Sequence, residues 1–338
     1  MNSAPSSYGP FTPSGLLQRT FAMYREQPKL MFGLMLMVAA VEVITTGVIT
    51  GSTAMMRGEP GMRLPLLQTL LFLCICLMAW LLVYVVSQVV HGAYFYAVTA
   101  RLQERPIGVG EAASRALEHV GRLVGVSLQL AVRIFGYVLL IGIAIEVILG
   151  ILAAVVFLAV HGSLHAPGHG GNWMAYALIL VPLLAVAVTL YLIAMLWVVA
   201  RYAVAIPACL AENLPASDSI RRSIALSAKS KSRIYAMYVF VMVLGIASFL
   251  IIVPISLLSA RSGHTPVFLL LSAVASAANL LFGAWLLSFT GIASTLCYYD
   301  LRVRKEGFGA VVVETKIPAV VALDAPAPDL SAGDLPVS

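Results

Sequence analysis

The chain has 338 residues, 61% of them in the AVILMFWYC set and only 11% charged, with a formal net charge of +6 at pH 7. A water-soluble fold of that length must keep its exterior solvated and could not hide so much apolar surface. Long apolar runs, rather than alternating ones, select membrane-crossing helices over a barrel, because each helix satisfies its own backbone.

Residues 1–13 are rich in Ser, Pro and Gly and show no apolar period, so they are expected to be disordered. A membrane domain is expected over 14–308. It opens on TPSGLLQRTFAMYREQPKL, where Thr12-Pro13-Ser14 is a helix-start signal and Leu17, Phe21 and Tyr24 form an apolar stripe. The first span follows at 30–51. Its long polar leader and length fit a retained anchor better than a cleaved signal peptide. A second span covers 66–90, with Tyr94 and Tyr96 beyond its end as interfacial aromatics. Cys74 and Cys76 point about 200° apart on a helix; with Cys209 and Cys297 they read as small buried hydrophobes.

A second short helix, GVGEAASRALEHVGRL, starts at Gly108. Ala113, Leu117, Val120 and Val124 are expected to form its apolar stripe, with Glu111–Arg115 and Glu118–Arg122 four apart on the polar face. The third span is 126–160. His161, His165 and His169, with His264 on the same side, sit among Gly and Pro and read as solvated loop histidines; no metal site is assigned. The fourth span is 174–200, with Pro182 and Pro207 as kink positions. A third short helix follows, PASDSIRRSIALSAKSKSRI from Pro215. The fifth span is 234–259, with Pro254 as its kink. The sixth is 267–299, where Ser272, Ala273, Ser276, Ala277 and Gly283 would allow close packing on a neighbour. The 309–338 tail, carrying Asp324, Asp329 and Asp334, is expected to be disordered.

The three short helices define a repeat. Each places an arginine within its first two turns, Arg19, Arg115 and Arg222, and each leads into an outward and then an inward span. They read as elbows in the headgroup plane, or alternatively as helices packed on extensions of the even-numbered spans. Fold class is therefore all-α: six transmembrane helices in three helix-pair repeats, with amphipathic interfacial helices.

Orientation follows from Lys and Arg in the connections. One side holds Arg19, Arg25 and Lys29, then Arg101, Arg105, Arg115 and Arg122. The same side holds Arg221, Arg222, Lys229, Lys231 and Arg233, and finally Arg302, Arg304, Lys305 and Lys316. The other side has only Arg57, Arg63 and Arg261. Both termini are thus expected in the cytoplasm. The basic inner face points to anionic lipid headgroups as partners, with another membrane protein as a second possibility, and not to nucleic acid.

Ionisable and amide side chains within the spans are the first place to look for function. Glu42, Arg133, Glu146 and Asn279 are the membrane-buried polar candidates. Counted from the repeat arginines, Glu42 corresponds to Val138, about 8 Å of helix rise from Arg133; the long Arg side chain could close that gap and pair with Glu42, with Glu146 as rival partner. Otherwise Arg133 snorkels to the inner headgroups while the carboxylates are protonated or face a hydrated pocket. A proton- or ion-coupled role is a third option. No phosphate-binding loop, dinucleotide fingerprint, nucleophile elbow or HExxH motif is present, so no catalytic residue and no cofactor is assigned.

Residues 201–235, RYAVAIPACLAENLPASDSIRRSIALSAKSKSRIY, and the run YYDLRVRKEGF at 298–308 resemble the membrane domain of bacterial glycerophosphoryl diester phosphodiesterases and its stand-alone relatives. The resemblance implies six spans and a cytoplasmic motif of Glu212, Asn213, Arg221 and Arg222 that fixes an elbow. In the family's enzymes a separate barrel performs hydrolysis. Such a barrel takes about 250 residues, and none is expected in the stretch after Lys305. The resulting expectation is a non-enzymatic membrane scaffold or lipid-interacting module, with a small transporter or permease subunit as the alternative.

Overall fold

The computed structural model describes residues 11–56, 66–163, 173–228, 231–261 and 266–306. All regular structure among them is helical: α1 (Pro13–Glu26), α2 (Pro28–Met56), α3 (Leu66–Leu102), α4 (Val109–Glu118), α5 (Val120–Ser163), α6 (Trp173–Tyr202), α7 (Ala205–Glu212), α8 (Ala216–Ser227), α9 (Lys231–Arg261) and α10 (Pro266–Glu306). Helices α2, α3, α5, α6, α9 and α10 are each long and apolar enough to cross a membrane, the character of a multi-pass membrane protein.

Local chemistry sets the helix ends. Thr12 caps α1, its Oγ1 accepting from the Gly15 N–H at 3.0 Å, and Pro13 takes the first turn, where its missing N–H costs nothing. Residues 11–13 therefore belong to the ordered part of the chain, contrary to the expected disorder of 1–13. Residues 1–10 and the 309–338 tail lie outside the described residues. Helix α7 ends on Asn213, whose φ of 54° is a left-handed conformation that asparagine tolerates, and Pro215 then opens α8. Pro182 and Pro254 lie inside α6 and α9, as read from the sequence. Pro207 does not kink the fourth span; it belongs to α7, after a turn at Ala203–Val204.

Packing is concentrated at one end of the bundle. The buried set takes the first third of α2 (Leu30, Met31, Leu34, Val38), the last third of α3 (Val90, Tyr94, Val98) and the last third of α10 (Phe289, Ile292, Leu296, Leu301). At the other end Ile44, Leu71, Ile148, Leu250 and Leu270 are exposed, as side chains facing lipid should be. Helix α5, at 44 residues, is about 66 Å long, twice a hydrocarbon core.

The short helices sit in that end. Helix α1 lies along α9 and α10, α4 along α3 and α2, and α8 along α5, α6 and α7. Equivalent positions relative to Arg19, Arg115 and Arg222 are buried in all three. Three residues before the arginine come Leu16, Ala112 and Ser219; one after come Thr20, Ala116 and Ser223. This face differs from the stripe read in the sequence. Leu117 is 54% exposed and Phe21 is turned partly outward, while α4 stops before His119, so Val120 and Val124 belong to α5. Small residues permit the closest helix approach. A Cβ at Gly92 would come within 2.8 Å of Leu123 and 3.1 Å of Ala116, which seats α3 against α4 and α5.

The small-residue stripe expected on the sixth span is not an interface within the chain. Ala273, Ser276 and Ala277 are exposed and Gly283 faces open space. The side chain of Ser272 lies outside those described. Close packing occurs nearer the dense end, at Ala284, Ser288 and Gly291, where a Cβ would meet the Tyr94 ring at 3.2 Å.

Candidate functional site

The last three turns of α10 gather the chain's ionic chemistry. Tyr298, Arg302 and Glu306 recur every four residues and share one face, while Asp300 and Arg304 share another. On the first face Arg222 of α8 donates its Nε to both oxygens of Glu212, at 2.9 and 3.0 Å, and its terminal nitrogen to Glu306. The Tyr298 hydroxyl donates to Glu212 Oε1 at 2.8 Å. Arg302 donates its Nε to Glu306 Oε2 at 2.9 Å and lies over the Tyr298 ring. Lys305 Nζ donates to the Ala225 carbonyl at 2.6 Å, near the end of α8. Together these contacts bind α7, α8 and α10.

The Arg222 guanidinium is held above its ordinary range. Partial burial opposes its charge, and the hydrogen-bonded carboxylates of Glu212 and Glu306 more than offset that. Of the residues assigned through the family resemblance, Glu212 and Arg222 thus meet directly, and Asn213 shapes the turn between their helices. Arg221 stays outside the cluster, 83% exposed and 3.9 Å from Asp218.

A second cluster surrounds Asp300, whose side chain is 1% exposed. It accepts from the Phe11 N–H at 2.7 Å, from Arg304 Nε at 3.2 Å and from Arg233 at 3.4 Å. Arg304 also donates to the Phe11 carbonyl at 2.8 Å. A third, smaller cluster pairs Glu26 with Arg19 at 2.7 Å and with Arg101 of α3 at 2.9 Å. Sequence reading missed Tyr298, Asp300, Arg302, Glu306 and Glu26. The four-residue spacing in YYDLRVRKE was the available signal for the first four.

The clusters are suited to holding helices. Each carboxylate meets guanidinium groups, which occupy its lone pairs. An acid–base catalyst needs a carboxylate with a free acceptor.

The polar residues expected within the membrane are not brought together. Glu42 is half-buried on α2, Arg133 and Glu146 are exposed on α5, and Asn279 is exposed on α10. Among the described residues no ion pair joins Glu42 to Arg133 or Arg133 to Glu146. Direction around the helix was not legible: Arg133 lies instead in electrostatic reach of Tyr202 on α6. Asn279 lines an open groove of about 320 Å³ with Gly245, Ser248 and Phe282, between α9 and α10. The side chains of His161, His165, His169 and His264 lie outside those described. Among the described residues no group of three or more His, Cys, Asp or Glu side chains could hold a metal ion.

Compared with known proteins, the chain matches no family model, no curated protein and no solved structure.

Proposed function

We propose that this chain is a membrane-embedded scaffold that interacts with lipid: three helix-pair repeats closed into a ring, in a bacterial inner membrane, with both termini cytoplasmic. The observation that carries the reading is the seating of the elbows. Helix α4 lies on the hairpin before it, α8 on the hairpin before it, and α1 on the last hairpin, which closes the cycle. The matching buried positions around Arg19, Arg115 and Arg222 support the repeat. The ionic groups of the dense end hold those seams, an arrangement for rigidity and not for turnover. The proposal gives the membrane domain no catalysis of its own.

Orientation rests on the sequence count of Lys and Arg in the connections, sixteen on one side against three on the other. Kinship with the membrane domain of glycerophosphoryl diester phosphodiesterases remains part of the proposal. The Glu212–Arg222 pair favours it, since it gives two residues of the shared pattern a joint structural role. A small transporter is the second reading, favoured by the groove that Asn279 lines.

Two measurements test this. A fluorescent reporter active only in the cytosol is expected to glow on either terminus; a dark but well-expressed fusion removes the orientation. Native mass spectrometry of the detergent-extracted protein is expected to show retained anionic lipid. Substrate flux in proteoliposomes would instead establish the transporter.

A further inference from the structure

The structure assigns a phosphate-headgroup site to the end of the second hairpin, where Arg133 of α5 and Arg201 of α6 would hold an anionic phospholipid of the adjoining leaflet. This rests on the lipid-interacting reading above and gives it a location.

The three inward helices end alike, on an arginine, but differ in what that arginine meets. Arg101 at the end of α3 meets Glu26 at 2.9 Å. Arg302 and Arg304 at the end of α10 meet Glu306 and Asp300. Arg201 at the end of α6 has its guanidinium 4.7 Å over the Trp197 ring and, among the described residues, no carboxylate within ion-pair distance. Arg133 is likewise without an ion pair among the described residues. Both arginines lie in electrostatic reach of Tyr202, with Tyr137 beside it. Among the described residues, this hairpin end therefore carries two cations and no carboxylate partner, where the arginines ending the other two meet carboxylates.

The surroundings identify the missing partner. Tyr202 and Val198 share a cluster with Val126, Leu130 and Ile134, so the end of α6 lies beside the stretch of α5 that carries Arg133, within the first turns of the apolar span. Trp197 and Tyr137 are both partly exposed there, an amphipathic belt of the kind found at headgroup depth. On the outward side of that level, Val132, Phe135 and Ile193 turn fully apolar surfaces away from the protein, where acyl chains would lie. An arginine pair at an interface, with aromatics beside it and apolar surface beyond, fits a phosphate diester carrying net negative charge. A soluble phosphate would use the arginines but leave the apolar wall without purpose.

The test uses the full-length protein in nanodiscs of equal phosphatidylglycerol and phosphatidylcholine, with bound lipid counted by native mass spectrometry after release. Wild type is expected to retain phosphatidylglycerol preferentially. Arg133→Gln and Arg201→Gln are each expected to cut that preference about fivefold, the scale of one cation near an anionic surface, and the double variant roughly twentyfold. Arg221→Gln, equally cationic and far more exposed, is expected to leave it unchanged. Millimolar inorganic phosphate is expected not to displace the lipid; displacement would make this a soluble-anion site and overturn the assignment. A preference that survives the double variant also overturns it while leaving the general lipid reading intact. No preference in wild type removes both. Photoreactive phosphatidylglycerol on unmutated protein supplies a check independent of folding: adducts are expected within 130–140 and 193–203, and adducts confined elsewhere count against the site.

Discussion

The Phe11 N–H donates to Asp300 Oδ1 at 2.7 Å, joining positions 289 residues apart in the chain. Arg304 donates to the Phe11 carbonyl, so two side chains of α10 hold both backbone groups of one residue. Asp300 is the pivot, because it also neutralises Arg233, of which 17% is exposed.

Asp300→Ala is expected to destabilise the protein by about 3 kcal/mol, the scale for removing one partner of a buried charge pair. Thermal unfolding in detergent, followed by circular dichroism, reads the loss. An unchanged midpoint would mean that the grip on Phe11 contributes nothing.

Glu212 and Arg222 are expected to be energetically coupled, and Glu42 and Arg133 not. A double-mutant cycle with Glu212→Gln and Arg222→Gln should leave an interaction term of about 1 kcal/mol or more, since the two side chains share one network. The corresponding cycle on Glu42→Gln and Arg133→Gln should be additive within about 0.5 kcal/mol. Coupling in the second cycle would show that the two spans approach in the bilayer.

Gly92→Val is expected to lower stability by about 1–3 kcal/mol through overpacking. Leu123 and Ala116 stand too close for a branched side chain and are both fully buried. Gly136, which faces open space, is the control; valine there should have little effect on the melting midpoint.

Tyr24 gives an alkaline signature. Burial between α1 and α10 pushes its hydroxyl up to about 12, and the hydrogen bond with Ser288 pulls the other way. The folded state therefore keeps a proton that the unfolded chain loses near pH 10. The associated stability is complete below pH 10 and lost as pH climbs towards 12. The difference in melting temperature between wild type and Tyr24→Phe, measured from pH 8 to 12, is expected to be flat to pH 10 and then to shift against wild type. A constant difference throughout would place the phenol in water.

Six membrane-length helices were legible because lipid tolerates runs such as LLQTLLFLCICLMAWLLVYVV where water does not. Which face of each elbow turns inward was not legible. Apolar size misleads in a membrane, where Leu117 gains as much from lipid as from protein while Ala112 and Ala116 allow close approach. The break before α7 was hidden by an apolar composition that runs on from Arg201 to Leu210. The pairs Glu26–Arg101, Arg222–Glu306 and Asp300–Arg233 were hidden by distance along the chain, which leaves no local pattern.

The seating of α1 between α9 and α10 also sets an order of events during synthesis. Leu16, Thr20 and Met23 are made well before α9 and α10, the helices that cover them. Until α10 emerges, that face has no permanent seat, and a product shortened before Asp300 never acquires one. The nascent chain thus carries a hydrophobic flag that only its later helices can cover.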